Sequence, residues 1–372
     1  MRDLYLGMRL KLFAVGLILL IVLASCKNDL KLAAPYKDIP YVHAILTPQE
    51  QMQMIRINKL VQGDGNGLEM AQIPDSVNYK PGELNVMLER FVNGVKTAAS
   101  PSNGSNSIVL RDTIIETKPG VFTSQQRVYI TYDKLYLTGV YKLTIVNKTT
   151  GNTFSATAPL LDSVPISIYG PFSPPFYPVV YTPTNPSTYY MNYAGVNNDF
   201  SVKTIPVKGA ALHDLTIRMH YYDSLNNGNK EFHFIDYSFQ SQPLSNIQGD
   251  GRFSFAFSGH QFYSYIGDQL AKKSMPANLL GRKMYKIDYI AYAGSSVYED
   301  YMRITAPSLT FNQLKAPFSN FEDGKAIGIF TIRTKSHVSK EMAKSFISEF
   351  STNKYTCQYR FYDAYLQLPS CP

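Results

Sequence analysis

From Ile39 to about Val164, apolar and polar residues alternate with a period of two, the signature of half-buried strands. Tyr141, Leu143 and Ile145 alternate with Lys142 and Thr144, and a turn-rich stretch over 147–152 follows. Phe154 and Ala156 then alternate with Thr153, Ser155 and Thr157, which predicts a hairpin. Leu84, Val86 and Leu88 form another such face, and the Asn93-Gly94 behind it suits a type I′ turn, because both residues tolerate positive φ. Further strands are expected near 41–46, 52–60, 108–115 and 128–132. About seven short strands in some 125 residues predict an immunoglobulin-like β-sandwich over 39–164.

Residues 165–190 hold Pro165, Pro171, Pro174, Pro175, Pro178, Pro183 and Pro186. Proline cannot donate to a strand ladder, so this stretch reads as an extended connector. Alternation resumes over 191–372. Leu215, Ile217, Met219 and Tyr221 share a face, Phe232 and Phe234 return after the 226–229 turn, and Phe253, Phe255 and Phe257 line a further strand. Phe262, Tyr265, Ile266 and Leu270 sit at helical spacing and predict a helix near 260–273. Met342, Phe346 and Phe350 predict a second near 339–350, with Ser339 as its N-cap. The fold class is therefore mainly β: a sandwich followed by a β-rich C-terminal domain with one or two short helices.

The first residues follow neither period. Arg2, Arg9 and Lys11 precede an unbroken apolar run from Leu12 to Leu23, of export-signal length and too short to cross ~30 Å of hydrocarbon unaided. The run ends in Leu23-Ala24-Ser25-Cys26, which resembles the lipobox of bacterial lipoproteins. That resemblance implies a signal peptide over 1–25, acylation of Cys26 and a lipidated tether over 26–38. Several acyl chains at ~0.8 kcal/mol per buried CH₂ hold a chain on a bilayer stably. Lys27 stands where an inner-membrane retention signal has aspartate, so the resemblance points to the outer membrane, with the periplasmic or the surface face left open.

Composition narrows the reading further. Of 372 residues, 45% are hydrophobic and 13% aromatic, with 28 Tyr, 21 Phe and no Trp, which excludes intrinsic disorder and favours pleated surfaces. The formal charge is +8, but Lys and Arg are spread singly along the strands and the chain is expected outside the cytoplasm, so nucleic acid is not a predicted partner. Cys357 and Cys371 lie in what would be an oxidising compartment and are expected to form a disulfide, whose loop closure would contribute on the order of 3 kcal/mol.

Chemistry-bearing motifs are sparse. There is no Gly-x-Ser-x-Gly elbow, no phosphate loop and no His-Glu-x-x-His. His220, Asp223 and His233 approach one another across the 226–229 turn, but His220 and Asp223 have opposite strand parity, so no metal site is predicted. Gly63 to Gly67 lacks the acidic pattern of a calcium loop and reads as an inter-strand loop. Glu299-Asp300 and Glu322-Asp323 read as rim and turn residues. Tyr177, Tyr181, Tyr189 and Tyr190, in or beside the proline-rich stretch, are candidate ligand-binding residues, the alternative being that they pack that stretch onto the domains. No catalytic residue and no cofactor is predicted.

The lipobox, the strands Ile39 to Val42 and Ile55 to Lys59, the Gly63 to Gly67 loop and the stretch from Asn320 to Phe330 together resemble a family of Bacteroidota outer-membrane lipoproteins. Its members are described as domains of unknown function, often encoded near TonB-dependent receptors. The resemblance implies a non-enzymatic, lipid-anchored envelope protein that binds a ligand or a partner such as such a receptor. A hydrolase of peptides or glycans, or a passive structural lipoprotein, are the alternatives. Asp75-Ser76-Val77, Asp112-Thr113-Ile114, Asp162-Ser163-Val164 and Asp223-Ser224-Leu225 resemble the O-glycosylation acceptors of the same phylum.

Overall fold

Alternating burial, with Leu84, Val86, Leu88 and Arg90 buried and the residues between them half-buried, places one row of β3 (Leu84–Val92) in a core and the other row outside it. The computed structural model describes residues 37–60, 66–118, 123–161, 168–170, 172–173, 179–181, 190–191, 194–305 and 317–371. The expected signal peptide and Cys26 lie outside these residues. The protein is mainly β, with 45% of residues in strands and 17% in helices.

The first half comprises β1 (Pro40–Leu46), β2 (Gln53–Lys59), β3 (Leu84–Val92), β4 (Val95–Thr97), β5 (Ser107–Val109), β6 (Arg111–Glu116), β7 (Gln125–Thr131), β8 (Val140–Asn147) and β9 (Thr153–Pro159). Two short helices, α1 (Gly67–Ala71) and α2 (Pro74–Val77), separate β2 from β3. The order β1-β2-β7-β6 in one sheet and β4-β3-β8-β9 in the other is that of an immunoglobulin-type sandwich. Val42, Ala44, Ile55 and Ile57 of the first sheet meet Val86, Leu88, Leu143 and Ile145 of the second. The strand expected over 108–115 is divided at Leu110: β5 pairs with β3 in one sheet and β6 with β7 in the other, so the chain changes sheets there. Asn93 and Gly94 take φ of 50° and 79°, as a type I′ turn requires. At the start of β8, Tyr141 turns its hydroxyl back. It donates to the Ala99 carbonyl at 2.6 Å and accepts from the Tyr136 N–H at 2.9 Å, the arrangement of a tyrosine corner.

The second half contains β10 (Ile168–Gly170), β11 (Phe172–Ser173), β12 (Val179–Tyr181), β13 (Tyr190–Met191), β14 (Asp199–Thr204), β15 (Leu212–Leu225), β16 (Lys230–Ser238), β17 (Gln242–Pro243), β18 (Phe253–Ser258), β19 (Leu279–Gly294) and β20 (Ile327–Lys340). Its helices are α3 (Gly259–Ala271), α4 (Ser296–Thr305) and α5 (Lys344–Thr352). Within the proline-rich stretch, β10 pairs with both β12 and β14, so part of the expected connector is built into a sheet of the second half.

Three of the four residues of the stripe expected on α3 face the core, whereas Tyr265 is exposed and Tyr263 is buried in its place. Phe262, Ile266 and Leu270 are fully buried, and Ser258 and Gln261 close a capping box at its start. The second expected helix is displaced. Ser339 lies in β20 with its hydroxyl on Asp288, and α5 begins at Lys344 behind Ala343, which makes no side-chain cap. The four-residue spacing of Met342, Phe346 and Phe350 arose because the link between β20 and α5 and the helix itself both turn apolar residues into one core. Helix α4 was not legible at all, since Tyr298 is its only buried residue.

The long strand β20 joins the halves. Its first part runs parallel to β1, from Tyr41 opposite Ile327 to Leu46 opposite Ile332, and its later part runs antiparallel to β19. One nine-stranded sheet, β16-β15-β19-β20-β1-β2-β7-β6, therefore crosses the molecule with β17 beside β15. Phe330 and Ile332 belong to the sandwich core, whereas Val338 belongs to the core formed by α3, α5, β14 and β18 against β15 and β19. Cys357 and Cys371 are bridged, with their Cα atoms 5.3 Å apart, and the intervening tail lays Phe361 beside Arg282 in β19.

Candidate functional site

The outer face of the β1–β2 sheet carries a cleft with a helical wall on each side. On one side, the α1–α2 segment is tied to its neighbouring strands by polar groups. The Asn58 amide donates to the Val77 carbonyl at 3.2 Å, the Asn78 amide to the Gln125 carbonyl at 3.0 Å, and the Thr123 N–H to the Ala71 carbonyl at 3.0 Å. On the other side, α4 is seated by Tyr298, which packs flat on Gly294 and donates its hydroxyl to Asp214 at 3.3 Å. A Cβ at residue 294 would stand 2.1 Å from that ring, so the wall depends on a glycine beneath it.

Two hollows meet at Tyr41. The first, of about 420 Å³, runs along β2 under Leu60, Leu68, Ala71 and Val77, with Arg56 and Lys59 at its polar positions. The second, of about 280 Å³, is bounded by Tyr301, Ile304 and Phe318. A volume of some hundreds of Å³ with an apolar lining and few polar groups is that of a small-molecule site. Its electrostatics are one-sided. Among the described residues the lining of the hollows carries no carboxylate, and the Arg56 guanidinium has no ion-pair or hydrogen-bond partner. Lys59 is engaged, donating to the Asp75 carbonyl at 3.2 Å with its ammonium 5.6 Å from the centre of the Tyr79 ring.

Neighbouring groups bear the imprint of that guanidinium. His43, whose ring lies 5.9 Å from that of Tyr301, has its pKa lowered by burial first and by Arg56 second. Burial, followed by the Tyr41 hydroxyl, pushes Tyr301 up to about 12, while Arg56 pulls it back. The cleft thus presents a positive charge at the edge of an apolar hollow, with the hydroxyls of Tyr41 and Tyr301 beside it.

The histidines singled out from sequence go elsewhere. Asp223 is buried and bonded to Arg282 at 3.0 Å, with His233 at 3.6 Å from its second oxygen, while His220 points to the other side of the sheet. There its Nε2 lies 2.7 Å from Asp288, which also receives Ser339 at 2.5 Å, His337 at 3.1 Å and Lys286 at 3.2 Å. Burial pushes the Asp288 carboxyl up, but the four donors outweigh it and hold its pKa at about 2. A carboxylate so saturated fastens β15, β19 and β20 together and is far from the pKa that general acid–base work near neutrality needs. No group of three or more His, Cys, Asp or Glu able to hold a metal occurs among the described residues.

Of the four candidate tyrosines, Tyr177 and Tyr189 lie outside the described residues, while Tyr181 ends β12 and Tyr190 opens β13. The cleft residues Tyr41, Arg56 and Tyr301 were missed. In the sequence Arg56 is one more outward position of an alternating strand, and only the missing partner and the two distant walls distinguish it. No protein-family model matches the chain, and no curated protein matches it.

Proposed function

We propose that this is a lipid-anchored cell-envelope protein whose work is non-enzymatic: binding a small ligand in the cleft over β1 and β2 as an accessory of an outer-membrane uptake or assembly system. The observation that carries the binding is the apolar hollow of about 420 Å³ with the Arg56 guanidinium, unpaired among the described residues, at its edge. The anchor rests on the run from Leu12 to Leu23 and on Leu23-Ala24-Ser25-Cys26 behind it. The partner, a TonB-dependent receptor, rests on the lipoprotein family that the sequence resembles. A tethered binding module needs no catalytic group, and Asp288, whose carboxyl is strongly perturbed, is spent on joining strands.

The test is metabolic labelling with palmitate, followed by extraction in mild detergent. The native protein is expected to carry the label and to co-purify with a TonB-dependent receptor, and Cys26→Ser to lose both label and membrane retention. An unlabelled native protein removes the anchor, and recovery of a labelled protein always free of any receptor removes the partner.

A further inference from the structure

The cleft also specifies the chemistry of what fills it. We propose that it binds an amphiphilic anion: an apolar chain of about ten carbons lying in the hollow, with a terminal carboxylate or phosphate on Arg56. This rests on reading the cleft as a binding site, and it names the class of ligand.

Size comes first. At ~30 Å³ per non-hydrogen atom, the volume share of a water molecule, a hollow of about 420 Å³ takes roughly 14 such atoms. That fits a ten-carbon chain with its head group. The lining fixes the polarity of the chain. Leu60, Leu68, Ala71 and Val77 offer carbon surface, and burial of methylenes against it is favourable in proportion to the area removed from water.

Charge then fixes the head. Arg56 projects from the outward row of β2 into the mouth of the hollow, with no carboxylate on it among the described residues. Its planar fork matches a carboxylate or phosphate through two parallel hydrogen bonds. Lys59 is held by the Asp75 carbonyl. A cationic amphiphile would place like charges together, and an uncharged one would leave the guanidinium as it is.

The full-length protein in nanodiscs of zwitterionic lipid is titrated calorimetrically with decanoate, decyl phosphate, decyltrimethylammonium and inorganic phosphate, with empty nanodiscs as background. Saturable binding of decanoate or decyl phosphate above background is expected, and the tighter of the two identifies the head group. Inorganic phosphate is expected to bind at least about a hundredfold more weakly, because it has no chain to bury. Arg56→Ala should weaken binding about tenfold, Arg56→Lys should recover part of it, and Arg56→Glu should turn the preference to decyltrimethylammonium. Arg56 is exposed, so these variants are expected to keep the native melting temperature, which is measured alongside.

Equal heats with empty nanodiscs, equal affinity for the cationic amphiphile, or an unchanged affinity in Arg56→Ala would each overturn the proposal. Failure here with palmitate still on Cys26 discards the ligand class and leaves the anchor standing. An unlabelled chain that still takes up decanoate discards the anchor alone.

Discussion

Gly328 in β20 lies so close to Val42 in β1 that a Cβ on it would stand 1.9 Å from the Val42 carbonyl oxygen, and its φ is +114°. Both facts arise where the parallel β1–β20 pairing begins, with Gly328 opposite Val42 and its N–H donating to the Phe318 carbonyl at 2.8 Å. Gly328→Ala is expected to cost about 3 kcal/mol or more, because the strands must part and the residue must leave a region open almost only to glycine. Gly324, at φ +59° with nothing within 4 Å of its would-be Cβ, is the control, and its alanine variant should cost only about 1 kcal/mol. Urea denaturation decides: equal costs at both positions would show that the close approach of β20 to β1 does not matter.

Tyr141 accounts for a separate feature of the sandwich. Its hydroxyl serves the Ala99 carbonyl and the Tyr136 N–H at once, fixing the chain ahead of β8 while the ring is fully buried. Tyr141→Phe keeps the ring and orphans both backbone groups, so a loss of about 1–3 kcal/mol is expected. Amide hydrogen exchange should report it at Tyr136, and unchanged protection there would refute the corner's role.

Most of the sandwich was legible because its longer strands β1, β3, β8 and β9 alternate a buried row with a less buried one, as at Leu84, Val86 and Leu88. The helix carrying Phe262, Ile266 and Leu270 was legible for the same reason at helical period. What escaped was structure set by distant neighbours. Residues Gly328 to Ile332 are buried on both sides of β20 and so carry no period. Ser339 has the chemistry of an N-cap, yet its partner is Asp288, 51 residues away. Helix α4 has Tyr298 as its one buried residue, which is too little for a stripe. The candidate site was the least legible part, since Arg56 and Tyr301 belong to opposite ends of the chain and gain meaning only when β20 lays them side by side.

Asp223 and Arg282 form an ion pair at 3.0 Å with each side chain only 2% exposed, and one guanidinium nitrogen finds no partner among the described residues. Removing one member strands the other in a dry interior, so Asp223→Ala is expected to cost about 3–5 kcal/mol. The double variant Asp223→Leu with Arg282→Met should recover most of that loss, since packed carbon needs no partner. If the double variant is as unstable as the single one, the pair is needed for more than charge balance.

His213 makes stability depend on pH in a window of its own. Its ring is 1% exposed and stacks 4.3 Å from Phe253, and its Nε2 accepts from the Val207 N–H at 3.0 Å, which only the unprotonated nitrogen can do. Burial lowers its pKa to about 4, against about 6.5 in the unfolded chain. As pH falls below about 6.5 the unfolded state takes up the proton first, so stability declines until pH reaches about 4 and then levels off, a loss on the order of 2 kcal/mol at pH 5. His43 and His220 are also held below the ordinary histidine range and act in the same direction. Asp288 works lower: its contribution is complete above about 3.8 and is lost as pH falls through about 2. Urea midpoints at pH 7 and pH 5 should therefore differ clearly in the native protein and by less in His213→Gln, whose amide oxygen can still accept from Val207. An equal pH 5 loss in the variant would assign the whole decline to the other two histidines.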